Sequence, residues 1–156
     1  MKRAILVLLA LLAAACASQP LRPGMSEAEV VQAMGAPAME LRDPDGSRHL
    51  AYPSGPFGLH TYMARIAPDG RLRTVEQVLD DARFDAIRPG MTSEELLRHI
   101  GPPGERMRFD NLRQSAWDYR FRDTWGYIAI LSVMVDDAGR VASRITQRLD
   151  RDRRFF

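Results

Sequence analysis

The chain has little of what side-chain chemistry usually requires: one cysteine, Cys16, and three histidines in 156 residues. A lone cysteine closes no intramolecular disulfide. His49, His60 and His99 stand in separate segments, with no cysteine or carboxylate at metal-ligand spacing. There is no Gly-x-Ser-x-Gly elbow, no phosphate loop and no second thiol, so no nucleophile is evidently paired with a base. These gaps argue for a non-enzymatic protein without metal or cofactor. Lysine is nearly missing too: Lys2 is the only one, and without Lys2 and Arg3 the chain has 20 arginines against 20 acids. A nucleic-acid surface needs net positive charge, and no basic block here is free of interleaved acids, which argues against that class of partner. Long apolar runs are absent as well. The longest has about 12 residues, short of the roughly 20 that a membrane-spanning helix needs.

What is present begins with a leader. Lys2 and Arg3 precede an aliphatic run that ends in Ala13, Ala14 and Ala15 before Cys16, the layout of a secretory signal over residues 1–15. Cysteine directly after small residues resembles a bacterial lipobox, although Ala13 takes the place usually held by leucine. The resemblance implies that Cys16 becomes the acylated first residue of the mature chain, held to a bilayer by its lipid. Ala17, where an aspartate would signal retention, implies the outer membrane. Residues 16–20 then form a short tether. Cys16 to Met25 spans under about 30 Å even if extended, so the folded part sits close to the membrane.

The rest is organised by an internal repeat. At an offset of 66 residues, "LRPGMSEAEVVQAMGAP" from Leu21 aligns with "IRPGMTSEELLRHIGPP" from Ile87. Each copy encodes a helix with both ends marked. Ser26 and Thr92 are N-caps completed by Glu29 and Glu95, with Met25 and Met91 placed to staple onto Val30 and Leu96. Gly35 and Gly101, followed by Pro37 and Pro103, supply a left-handed stop. After each helix the apolar period becomes two. "RHLAY", "HTYMARI" and "RLRTVEQVL" read as three strands of the first copy; "SAWDYRF" and a hairpin around Asp137 read as three of the second. Asp136 and Asp137 are turn residues in this reading. "DDARFDAI" adds a short helix between the copies. The expected architecture is α+β: two tandem repeats over residues 21–79 and 80–149, each a short helix or helix pair on a three-stranded antiparallel meander, then a charged tail over 150–156.

Strand phase divides the second repeat into faces. Trp117, Tyr119 and Phe121 share one side with Leu131, Val133 and Val135 and are expected in the core. Ile128, Ile130 and Met134 then face away beside Arg120 and Arg122, with Arg144 a further candidate. An aliphatic patch rimmed by arginine is a candidate partner surface; packing of the first repeat against it is the competing expectation. Phe57, Trp125 and Tyr127 mark hairpin tips suited to anchoring a partner.

The string "GMT", "IGPP", "WDYRF" and "VDDAGRV" between Ile87 and Arg144 resembles the SmpA/OmlA, or BamE-like, family of small outer-membrane lipoproteins, and "PGMS", "MGAP" and "PDGRL" form a weaker first copy. A tandem arrangement of this kind also resembles β-lactamase inhibitor proteins. The resemblance implies a lipid-anchored, periplasm-facing, non-catalytic accessory that binds an outer-membrane or periplasmic protein, with β-barrel assembly subunits as candidate partners. The family's assembly factor has one copy of the domain where this chain has two. The alternative is a periplasmic inhibitor or regulator that docks on an enzyme through a concave sheet.

Overall fold

A computed structural model describes residues 20–149; the leader, Cys16 and the tail from residue 150 lie outside the described residues. The helices start where the local sequence dictates. Ser26 and Thr92 have extended backbones, and their hydroxyls accept from the amides of Glu29 and Glu95. Both glutamates reach back to the cap amides at 2.7 Å. These capping boxes begin α1 (Glu27–Met34) and α3 (Ser93–Ile100), and Asp80 caps the short α2 (Asp81–Asp85) between the halves. Both longer helices stop at glycine, but not in the left-handed helical conformation that the sequence suggests. Gly35 and Gly101 have φ of 84° and 79° with ψ of −172° and −170°, a region essentially restricted to glycine.

Two antiparallel sheets complete an α+β fold. The first runs β1 (Met39–Arg42), β2 (Arg48–Pro53), β3 (Thr61–Ile66) and β4 (Leu72–Gln77) in sequence order. The second runs β5 (Glu105–Phe109), β6 (Gln114–Arg122), β7 (Ile128–Asp136) and β8 (Val141–Arg148). Each sheet therefore has four strands where periodicity predicts three. The added strands, β1 and β5, are short edges whose side chains are mostly exposed and charged, so they bury too little to leave an apolar period.

The repeated glycines and arginines tie each helix entry to its sheet. The amides of Gly24 and Gly90 donate to the carbonyls of Leu72 and Val141, while Arg71 and Arg140 donate back to the carbonyls of Gly24 and Gly90 at 2.8 and 3.0 Å. The "PGM" and "GR" motifs are thus two ends of one structural clamp, used twice.

Each sheet buries one face under its own helix. Val30 of α1 packs with Leu50, Tyr52, Ala64, Ile66 and Leu72. In the second half Leu96 and Ile100 of α3 and Phe84 of α2 meet Trp117, Tyr119, Phe121, Leu131 and Val133, with Phe84 edge-on to Phe121 at 4.6 Å. The other face of the first sheet is covered as well. Gly101 ends α3 against Thr61, Ala51 and Met63, and Arg98 binds Asp43 at 2.7 Å. This second layer explains why β2 buries four consecutive residues, His49 to Tyr52, instead of alternating.

Candidate functional site

Among the described residues, one broad surface stays without a second layer: the outer face of the second sheet. Register assembles it row by row. Met107, Ala116, Met134 and Ser143 are aligned across β5 to β8; Glu105, Asp118, Ser132 and Ile145 form the next row; then come Arg120, Ile130 and Gln147, and finally Arg122 and Ile128. Strict alternation along β7 separates the half-buried Ile128, Ile130 and Met134 from the buried Ala129, Leu131, Val133 and Val135. The aliphatic stripe extends beyond the expected residues to Met107 and Ile145, which are 49% and 66% exposed. Neither stands out in sequence, because each sits in a strand dominated by polar neighbours.

The first half reaches this face with the hairpin tip that carries Phe57. Pro56 and Phe57 line a cleft of about 190 Å³ with Gly104, Glu105, Asp118, Arg120 and Ile130. The Arg120 guanidinium stands 6.0 Å from the Phe57 ring, and the ring itself is 76% exposed. A side chain at Gly104 would run into the Pro56 carbonyl, so glycine lets the tip approach. Arg120 Nε and Asp118 Oδ1 are buried without a hydrogen-bond partner among the described residues. Arg122 donates to the carbonyl of Gly126 at 2.7 Å, which holds the base of its hairpin.

Trp125 and Tyr127 do not join this face. Trp125, 78% exposed, lines a separate cleft of about 650 Å³ with Phe84 and Asp85 of the helical layer and Arg144 and Arg148 of β8, while Arg148 stacks on Tyr127 at 4.9 Å. Arg144 lies opposite Val133 and pairs with Asp85 at 3.0 Å, so it belongs to the helix-covered side, against the expectation that grouped it with Arg120 and Arg122. The sequence-derived candidates thus divide into an open-face group of Phe57, Arg120, Arg122, Ile128, Ile130 and Met134 and a rim group of Trp125 and Tyr127. Cys16 lies outside the described residues.

Two of the three histidines, His49 and His99, serve the framework, and His60 is exposed. His49 is buried, and its Nε2 donates to Asp43 at 2.7 Å; His99 Nε2 donates to the carbonyl of Arg83 at 2.7 Å. No group of three metal-ligating side chains occurs among the described residues. Asp136 and Asp137 are turn residues, as expected. Asp136 Oδ1 accepts from the amides of Ala138 and Arg140, and Asp137 pairs with Arg108 and Arg113.

Asp43 ties the halves together electrostatically. Partial burial works against its charge, but hydrogen bonds and charge from His49 and Arg98 outweigh burial and hold its pKa below the ordinary carboxylate value. A depressed folded-state pKa stabilises the fold above the unfolded-state value near 4 and loses that contribution as pH falls through the folded value. Asp43→Asn should therefore lower stability at neutral pH and shrink the loss as pH falls below about 4, read from denaturant midpoints across the acid range. An acid limb as steep as the parent's would remove Asp43 from this role.

No protein-family model matches this chain, and no curated protein is similar to it.

Proposed function

We propose that this protein is a lipid-anchored outer-membrane accessory of the SmpA/OmlA kind, acting in the periplasm by binding a protein partner and catalysing no reaction. The observation that supports this reading best is the open face of the second sheet, an aliphatic stripe from Met107 through Met134 and Ile130 to Ile145 beside Arg120 and Arg122. Apolar area left exposed beside arginine is the usual composition of a docking surface, and a sheet presents it with the backbone already ordered, leaving only side-chain freedom to be lost. The face carries Glu105 and Asp118 as well as the two arginines. The matching partner surface is therefore an apolar centre with charges of both signs at its rim.

Affinity purification from detergent-solubilised envelopes tests the reading. The wild-type chain should copurify with β-barrel assembly subunits, and Ile130→Asp should reduce capture at least tenfold while leaving the circular dichroism unchanged, because that side chain is half-buried and outside the core. Copurification of a single soluble enzyme would support the inhibitor reading instead. Capture unaffected by Ile130→Asp and Met134→Asp together would reject the open face. Cys16→Ala should move the protein from the outer-membrane fraction to the soluble periplasmic one, and unchanged membrane retention would reject the lipid anchor.

A further inference from the structure

The interface between α3 and the first sheet is apolar over Ala51 and Met63 but turns polar along one cross-strand row. His49 on β2, Arg65 on β3 and Thr74 on β4 are register partners and so share a face. Two of the three hold a buried polar atom with no partner among the described residues: Nδ1 of His49, a residue only 8% exposed, and Oγ1 of Thr74. Arg65 makes no hydrogen bond or ion pair among the described residues. An unmet donor or acceptor in a protein interior costs about 1–3 kcal/mol, so the unmet Nδ1 of His49, the one of these two atoms whose residue borders the neighbouring cleft, calls for a partner.

The space beside this row is a cleft of about 560 Å³, lined by His49 and Arg65 from the first sheet and by Arg88, Glu95, Arg98 and His99 from the second half. Arg98 is neutralised by Asp43 and Glu94, at 2.7 Å each. Arg88 donates to the carbonyls of Asp85 and Ile87 and meets no carboxylate among the described residues. Glu95 is the single carboxylate in the lining, and its Oε2 is occupied by the amide and hydroxyl of Thr92. Two guanidiniums without carboxylate partners, one from each half, therefore share the cleft with the unmet His49. Because Nε2 of His49 is committed as a donor to Asp43, Nδ1 is an acceptor on the neutral ring and a donor on the charged one.

We propose that this cleft binds a phosphoryl group. Near neutral pH such a group offers ionised oxygens to Arg65 and Arg88 and, in its monoprotonated form, a hydroxyl to His49 Nδ1. The site lies between the halves, so an occupant joins them. This assignment is independent of the open-face reading, since it uses none of the same residues.

Isothermal titration of the full acylated chain in neutral detergent with inorganic phosphate tests it. One phosphate should bind per chain and raise Tm. Arg65→Gln and Arg88→Gln should each weaken binding at least tenfold without changing Tm in phosphate-free buffer; Arg88 is exposed, so its replacement keeps the test valid if Arg65→Gln fails to fold. The source is separated by two further probes: glycerol phosphate, and phosphatidylcholine vesicles with and without phosphatidic acid. Binding of both phosphate probes with no Arg88-dependent gain on phosphatidic acid assigns a soluble ligand, and an Arg88-dependent gain assigns a lipid phosphate. Absence of saturable phosphate binding, binding unchanged in Arg65→Gln and Arg88→Gln, or equal affinity for sulfate, which has no hydroxyl at neutral pH, would overturn the proposal.

Discussion

Replacing Phe121 with alanine is expected to destabilise the protein by about 3–5 kcal/mol, the range for removing a fully buried aromatic from a packed core. Phe121 has no exposed surface, and its ring meets Phe84 edge-to-face, so the change vacates space between the second sheet and α2 at once. The neighbours that would have to fill it, Leu131 and Ala129, are fixed on the same sheet and cannot collapse inward without leaving the strand ladder. Thermal unfolding should show Tm lowered by more than about 10 °C. A loss under about 1 kcal/mol would mean that the helical layer is not seated on this sheet as described.

The second large effect is a contrast between repeat-equivalent glycines. Gly35 and Gly101 end their helices with nearly the same backbone angles, and alanine at either carries the strain of that conformation, about 1–3 kcal/mol. Around Gly35 there is open space. At Gly101 a Cβ would stand 2.9 Å from Thr61 Cγ2 and 3.7 Å from Ala51 and Met63. Thr61 is itself buried, so it has little room to withdraw, and overpacking adds roughly 1–3 kcal/mol. Gly101→Ala should thus cost clearly more than Gly35→Ala in the same denaturant titration. Equal losses would show that α3 does not bear on the first sheet, and with that the covered second face of β2 would lose its explanation.

This contrast shows what repetition in a sequence conveys. Gly35 and Gly101, Ser26 and Thr92, Glu29 and Glu95 are matched pairs, and the local geometry they encode is matched as well. Capping boxes and glycine stops act within a few residues, so they can be read from spacing alone. The same holds for the alternation in β7, where one face is buried and the other is not. Periodicity failed for β5, an exposed edge with almost no buried face, and for β1, whose alternation of Met39 and Leu41 with Glu40 and Arg42 is only four residues long. It also misplaced Arg144, which register sets opposite Val133 on the helix-covered side, while the side toward which the Trp125 tip turns is decided only by contacts with β8 and α2.

The candidate surface divides in the same manner. Ile128, Ile130, Met134, Arg120 and Arg122 share a face by strand phase, which is legible in sequence. Met107 and Ile145 join them only through register across β5 and β8. The cleft that holds Arg65 and Arg88 left no trace in the chain's order, because its walls come from residues in the two different halves.

Residue order by itself determined the helix boundaries, most of the strands and the inward or outward phase of β6 and β7, because caps, glycine stops and alternation act over a handful of neighbouring residues. Tertiary structure alone decided which faces stayed open. The same kind of unit occurs twice, yet among the described residues the first sheet is covered on both sides and the second on one, since α3 packs between the sheets while the second sheet's outer face is approached by the hairpin tip that carries Phe57. That asymmetry depends on contacts between residues far apart in the chain, such as Asp43 with Arg98 and Gly101 with Thr61, which no local pattern encodes.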